Sequence, residues 1–416
     1  MQDYGFLLPW LQLDEYIQIM SARSIRDAAA IVGMGLTQFG ELWDRGPEDL
    51  IVEAALAAVE DAGMTLSDVD AFWLGTRATG MSGLTLSRPL KLAGRPVTRV
   101  ENFCATGSEA FRNAAYAAAA GAYDVVMALG VEKMKDAGTS GLVPVPVPED
   151  GTRTELTGPA YFSLLVPAYA ERHGVSREEL RRVLTHIAAK NHFNGARNPK
   201  AQFRKEVTAE TIERSPRVAG DLRVFDCSGV SDGAAAAVIV RGEDASSRRP
   251  DPVYVKGLAL VAGDGSGQRD TEYDFTTFPE VVAAAEQAYA QAGVEDPARE
   301  LALAEVHDCF TPTELVLMED LGFSARGSAW KDVLAGRFDL RGDLAVNPDG
   351  GLKSFGHPVG ASGLRMLYEC WLQLRGAAPA ERQIDLRGRT LGLTHNLGGP
   401  PGDCVSFVSV VGTHRG

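Results

Sequence analysis

The sequence predicts an α/β protein made of two duplicated halves, each a sheet covered by helices, packed together about a pseudo-twofold axis. Three observations predict it. Strands and helices alternate at the spacing that gives parallel sheets with helices on their faces. A strand, helix, strand triplet near the start, AAIVGMG (Ala29 to Gly35), LIVEAALAAVEDAG (Leu50 to Gly63) and VDAFWLG (Val69 to Gly75), recurs in type and order. Its second copy is VYVKGLALVAGD (Val253 to Asp264), VVAAAEQAYAQAG (Val281 to Gly293) and LALAEVHDCF (Leu301 to Phe310). Each half then reaches a reactive side chain, a helix and a further strand: Cys104 in the first, His357 in the second.

Taken in order, residues 1–28 read as an N-terminal extension. Met1 to Arg26 mix aromatic and acidic residues without a glycine turn or a clear period, and Met20 is the expected natural start. The run from Ala29 is a short apolar strand closed by glycine. Leu50 to Gly63 places apolar residues at helical spacing before a glycine stop, and Val69 to Gly75 is again strand-like. Cys104 opens a small-residue helix reaching Gly121, followed by the strand DVVMALGVEK (Asp124 to Lys133). An insertion of about ninety residues precedes the apolar run Ala234 to Gly242, and its core, residues 138–225, reads as a loop domain covering the substrate. It holds the Pro-rich stretch Leu142 to Gly151 and a helix around Ser176 to His192. The first half therefore spans 29–250 and the second 251–416. The second half closes with a helix through Ser362 to Leu374 and the strand TLGLTHNLGG (Thr390 to Gly399).

Composition narrows the function. Hydrophobic residues at 45% and charged residues at 23% suit a globular chain with a sizeable core. The net charge of -14 without a basic run argues against nucleic acid as a partner. No apolar stretch reaches the roughly 18 residues of a membrane span, and the start lacks the order of a secretion signal. A cytoplasmic protein is expected. Five dispersed cysteines without CxxC spacing argue against a disulfide framework and a zinc site, so no metal is expected.

Four segments carry chemistry. In ENFCATGSEAFR, Cys104 stands where unpaired amides and the helix dipole favour a thiolate, and the small residues after it let a substrate approach. A buried small hydrophobe closing a turn explains the segment alone equally well. GGLKSFGHPVGASG puts His357 at the counterpart of Cys104, where a neutral imidazole can take the thiol proton. In EVHDCFTPTEL, strand alternation points His307 and Cys309 to one side at a strand's C-terminal end, where α/β folds place their sites. THNLGG ends a strand in glycines whose amides can donate to an oxyanion.

Together these segments resemble the thiolase superfamily, and most closely the sterol-carrier-protein-x type. CATGS, VEKM, HDCF, GHPVGASG and HNLG agree in order over nearly the whole chain from Ala29. The resemblance implies two βαβαβαββ halves in a five-layered αβαβα core with an inserted loop domain, assembled as a homodimer or homotetramer. It implies a Cys-dependent acyltransferase of lipid metabolism, of the acetyl-CoA acetyltransferase kind, performing thiolysis of 3-ketoacyl-CoA or the reverse Claisen condensation. Cys104 is then the acyl-accepting nucleophile, His357 its base, and His307 the holder of an oxyanion-hole water. Gly398 with the Cys104 amide forms a second oxyanion hole. The second cysteine of the better-known members is replaced here by Asn396, and Cys309 would take over its proton shuttle.

No permanently bound cofactor is expected; coenzyme A is a co-substrate, with Lys190, Arg197, Lys200 and Arg204 of the insertion the candidates for its phosphates. Three other functions bear on the same segments. A decarboxylating ketoacyl synthase does not fit HDCF with GHP. A partner-dependent acyltransferase or carbon-carbon lyase, acting with a small zinc-ribbon/OB-fold protein, is compatible with the segments present. A non-catalytic lipid or acyl-CoA scaffold leaves four reactive residues in register unexplained.

Overall fold

The structure is a computed structural model, and it describes residues 24–136, 156–265, 267 and 273–416. Most of the expected extension and the Pro-rich stretch Leu142 to Gly151 lie outside the described residues.

In the first half the strands are β1 (Ala29–Leu36), β2 (Ala71–Gly75), β3 (Val97–Val100) and β4 (Val125–Glu132). A small hairpin of β5 (Arg217–Ala219) and β6 (Leu222–Arg223) belongs to the insertion, and β7 (Gly233–Arg241) returns to the sheet. The second half contributes β8 (Val253–Ala262), β9 (Leu301–Glu305), β10 (Ala345–Val346), β11 (Leu391–Gly398) and β12 (Val405–Gly412). The strand order is β3-β2-β4-β7-β1 in one half and β10-β9-β11-β12-β8 in the other. Counted within each half, both read third, second, fourth, fifth, first. The duplication seen in the sequence is thus a duplication of topology. The two units join through a short antiparallel pairing of β1 with β8, Ala30 opposite Tyr254 and Ile31 opposite Val253.

The sheets are mixed, which corrects the expectation of parallel ones. β2 runs parallel to β3 and β4, and β9 to β10 and β11, but each fifth strand is antiparallel to its neighbours. In the second half the connection from β11 to β12 is a short hairpin, which cannot make the crossover that parallel strands require.

Local chemistry forms the elements. Helix Pro47–Asp61 starts with proline, where the missing N–H costs nothing, and Asp49 accepts the Gly46 N–H at 2.9 Å. Its inward stripe of Leu50, Ile51, Ala54, Ala55, Ala58 and Val59 packs on β1 and β7. Helix Pro279–Ala292 covers β8 and β12 in the same way. Strands β1 and β4 are buried along their whole length, as strands covered on both faces are.

Between the sheets lie helices Thr106–Ala119 and Ser362–Leu374, giving five layers. They meet through glycine. A Cβ on Gly107 would come within 2.7 Å of the Gly360 carbonyl oxygen, and one on Gly363 within 2.5 Å of the Ser108 nitrogen. This close approach brings the entrance of the Cys104 helix against the GHPVGASG segment of the other half. The insertion's long helix, Arg177–Ala196, is capped by Ser176, whose hydroxyl accepts the Glu179 N–H at 3.2 Å.

Candidate active site

The turn before helix Thr106–Ala119 is built by its own polar groups. Phe103 holds a left-handed backbone (φ 49), an uncommon conformation for a non-glycine residue. It is fixed by the Glu101 carboxylate, which accepts the Phe103 N–H at 2.8 Å, and by Thr106, whose hydroxyl donates to the Phe103 carbonyl at 2.6 Å. Cys104 follows directly. It stands just outside the first helical turn rather than within it, and part of its surface remains accessible.

Three reactive atoms converge there. The Cys104 sulfur, a ring nitrogen of His307 and a ring nitrogen of His357 all lie within 4.8 Å of one another. The two imidazoles meet edge to face, with ring centres 5.4 Å apart. One sulfur comes from the first half and both rings from the second, so the pocket exists only because the halves pack face to face.

The geometry fixes the His357 tautomer. Ser362 donates its hydroxyl hydrogen to the Pro358 carbonyl at 3.0 Å, so at 2.7 Å it accepts from His357 Nδ1. The lone pair is left on Nε2, which is buried without a hydrogen-bond partner and so is available to accept a proton. Ser231 further anchors the residue by accepting the His357 N–H at 2.9 Å.

Burial sets the protonation states. It pushes the Cys104 thiol up to about 12, against the pull of Arg77. The expectation of a thiol acidified by the helix terminus is therefore corrected: removal from water outweighs the dipole. Burial also holds His357 down to about 3, with Arg365 adding to the effect, and puts His307 well below the usual histidine range. At rest the site is a thiol facing two neutral imidazoles. Proton transfer must accompany the attack of the sulfur. The same three atoms are also soft enough, and close enough, to take a divalent ion.

Cys309 lies outside this set of three; its thiol is held well above its ordinary value, chiefly by burial, and a thiolate on Cys104 would raise it further. Strand alternation does not aim it. β9 ends at Glu305, because Val306 donates its N–H to the Asn347 side chain at 2.8 Å and the chain leaves the ladder. Asp308 turns away to accept the Leu352 and Lys353 N–H groups at 2.6 and 3.1 Å, tying this loop to the segment that carries His357. Gly398 closes the end of β11 against the nucleophile, since a Cβ there would lie 2.7 Å from the Asn102 carbonyl and 3.2 Å from the Cys104 nitrogen. Asn396 is buried beside it and accepts from Ser108 at 2.6 Å.

The four cations expected to hold coenzyme A phosphates are not brought together. Lys190 is buried in an ion pair with Glu314 at 2.9 Å and donates to the Val346 carbonyl, which corrects its assignment. Lys200 is part-buried and donates to the Leu36 carbonyl. Arg197 pairs with Glu206 at 2.8 Å. Arg204 lines an open pocket of about 670 Å³ together with His192, Gln202, Phe203, Lys205, Val207 and Phe225. Sequence reasoning missed Ser362 and Ser231. A serine five residues beyond the histidine, at a helix entrance, was the available signal for the first.

A cysteine at the mouth of an inner helix, facing neutral imidazoles supplied by the other half of a duplicated fold, is an arrangement suited to nucleophilic catalysis by sulfur. The chain belongs to the thiolase family and is a thiolase-type acyltransferase. The family's N-terminal domain matches residues 29–243 and its C-terminal domain-like model residues 266–409. An acetyl-CoA acetyltransferase of Methanothermobacter thermautotrophicus is 38% identical, covering 91% of this chain and 98% of that protein. Sterol carrier protein 2 of Gallus gallus is 32% identical over 88% of this chain and 69% of its own length. Among solved structures, an Ltp2-ChsH2(DUF35) aldolase superposes with a TM-score of 0.80 at 26% identity, covering 94% of this chain and 100% of that one.

Proposed function

We propose that the chain catalyses thiolysis of 3-ketoacyl-CoA, or the reverse Claisen condensation, through an acyl thioester on Cys104. The observation that carries this is the meeting of the Cys104 sulfur with His357 and His307 within 4.8 Å. In thiolysis the sulfur attacks the 3-keto carbon while its proton passes to His357 Nε2. The bond between the α- and β-carbons breaks, the acyl group stays on sulfur, and the departing enolate of the shortened acyl-CoA takes a proton from Cys309. The thiol of free coenzyme A then gives its proton to the Cys309 thiolate and attacks the acyl-enzyme, and Cys104 leaves with the proton held on His357, so that both cysteines end as thiols and His357 is again neutral. His307 and the amides of Cys104 and Gly398 stabilise the oxyanions formed on the way. Coenzyme A is thus a co-substrate rather than a resident cofactor.

Brief incubation with an acyl-CoA should add one acyl mass to the Cys104 peptide, and Cys104→Ser should remove the adduct. Label on Cys309 instead would overturn the assignment.

We propose further that the chain works as a homodimer or homotetramer in cytoplasmic lipid metabolism. No helix among the described residues is long and apolar enough to cross a membrane. A second reading, an acyltransferase or carbon-carbon lyase acting with a zinc-ribbon/OB-fold partner, is supported by the likeness to the Ltp2-ChsH2(DUF35) aldolase. Screening 3-ketoacyl-CoA esters for CoA-dependent cleavage, with and without a co-expressed neighbouring protein, separates the two: activity only in the partner's presence favours the second.

A further inference from the structure

The Cys104 sulfur and one ring nitrogen each of His307 and His357, all within 4.8 Å of one another, make a ligand set as well as a catalytic one. Donors on one tetrahedral zinc ion stand about 3.5 Å apart, with bonds of about 2.3 Å to sulfur and about 2.0 Å to nitrogen. The widest pair here therefore has at most about 1.3 Å to close, a distance that side-chain rotation covers.

The imidazoles are presented as a metal site presents them. His357 Nδ1 donates to Ser362 at 2.7 Å, and Ser362 donates to the Pro358 carbonyl at 3.0 Å, so the ring can offer only Nε2. A metal-bound histidine is commonly held in this way, its far N–H tied to an oxygen that fixes tautomer and orientation. His357 Nε2 and His307 Nδ1 are buried without a hydrogen-bond partner, in residues 4% and 1% exposed. Such nitrogens are uncommon in folded proteins, and a bound ion is one of the few things that satisfies them.

One thiol and two imidazoles, with no carboxylate among them, select zinc over the harder magnesium and calcium. Glu101 and Glu132 act against a bare thiolate on Cys104 and so favour a cation beside it, opposed by Arg77 and Arg365. Cys104 keeps part of its surface accessible, which leaves an entry and room for water as the fourth ligand. The three ligands come from distant segments, so no CxxC-like spacing announces the site.

We propose that Cys104, His307 and His357 bind one zinc ion reversibly, and that the ion and the acyl group exclude one another. On binding, zinc replaces the thiol proton, which passes to solvent, and both rings bind neutral; nothing is oxidised or reduced. The sulfur lone pair that attacks the carbonyl and the Nε2 lone pair that receives the thiol proton are then both on the metal, so acylation stops until the ion leaves. The binding rests on the geometry alone, and its inhibitory consequence rests on the acyl-transfer reading above.

The test uses the native full chain, Cys104→Ser, His307→Ala and Cys309→Ala, with zinc, cobalt(II) and magnesium salts and no added thiol. Calorimetry should count one zinc per chain in the native protein and in Cys309→Ala, with affinity weaker by about tenfold or more in Cys104→Ser and His307→Ala. Cobalt(II) should give a sulfur-to-metal charge-transfer band that Cys104→Ser lacks. Zinc should raise the melting temperature of the native chain, as a ligand of the folded state does, and leave that of Cys104→Ser unmoved. It should also slow alkylation of Cys104 by iodoacetamide about tenfold or more, read by mass spectrometry, with EDTA restoring the rate and magnesium without effect. Acylation of Cys104 by an acyl-CoA should stop and return in the same way. Equal zinc affinity in the native chain and Cys104→Ser, or a cobalt band lost in Cys309→Ala instead, overturns the proposal. So does alkylation or acylation that zinc leaves unslowed, and if metal-free Cys104 still accepts an acyl group, this proposal falls alone. Zinc that shields Cys104 from iodoacetamide, in a chain whose metal-free Cys104 takes no acyl group, upholds the metal site and overturns the acyl-transfer reading.

Discussion

Cys104 keeps its proton at rest because burial outweighs every group that would draw it off. The consequence can be measured. Below its pKa the thiolate fraction of a cysteine grows about tenfold per pH unit. Alkylation of Cys104 by iodoacetamide, a neutral reagent, should therefore climb throughout pH 6 to 9; a plateau near neutrality would show an ion pair with His357 instead. The base depends on Ser362, which keeps the His357 lone pair on Nε2. Ser362→Ala should slow Cys104 acylation about tenfold or more with little change in KM, and a rise in KM at unchanged rate would contradict the role. Cys309→Ala should still take an acyl group from a simple acyl-CoA, where no enolate departs, yet turn over 3-ketoacyl-CoA slowly, which single-turnover and steady-state rates separate. Loss of acylation from the simple acyl-CoA would show instead that Cys104 itself depends on Cys309.

Whole elements are positioned by glycine contacts and buried charge. The inner helices touch at Gly107 and Gly363, where no side chain fits. Gly363→Val forces the helices apart and should cost about 3 kcal/mol or more, read as a fall in melting temperature together with lost acylation; a stable, acylating variant would mean that the layer can expand. Helix Ser362–Leu374 matched its predicted bounds because its apolar spacing is local information. The end of β9 was not legible. Nothing near His307 signals that Asn347, some forty residues on, will take the Val306 N–H and stop the ladder. Lys190 was a candidate for the coenzyme A phosphates, and only the fold shows it buried against Glu314. Cys104 and His357 could be paired from sequence because duplication made them counterparts. His307 joined them from a loop whose path depends on Asp308 reaching the backbone of the His357 segment.

At the scale of the whole molecule, two opposing sets of buried groups govern stability against pH. His192, His357 and His395 are held at about 3 and His307 well below its usual range, all by burial. These four bind protons in the unfolded chain before they do in the folded one, so they withdraw stability as pH falls below about 6.5. Against them, burial raises Asp308 to about 7, Asp320 to about 6, and Glu305 and Glu369 above the ordinary carboxylate range. Their stabilising contribution is present below the unfolded value near 4 and is lost as pH rises toward the folded one. Between about pH 4.5 and 6 the two sets run in opposite directions, and the raised carboxylates offset part of what the histidines withdraw. Below about 4 these raised carboxylates are protonated in both states and no longer offset the four histidines, which withdraw up to about 5 kcal/mol per pH unit for four protons. Melting temperature should therefore fall gently from pH 6 to about 4.5 and steeply below 4. A steady decline beginning at 6.5 would mean that the raised carboxylates do not hold their protons in the folded chain. His395→Leu separates the terms, since both of its ring nitrogens are buried without partners: with one histidine removed, the collapse should become shallower by about a quarter.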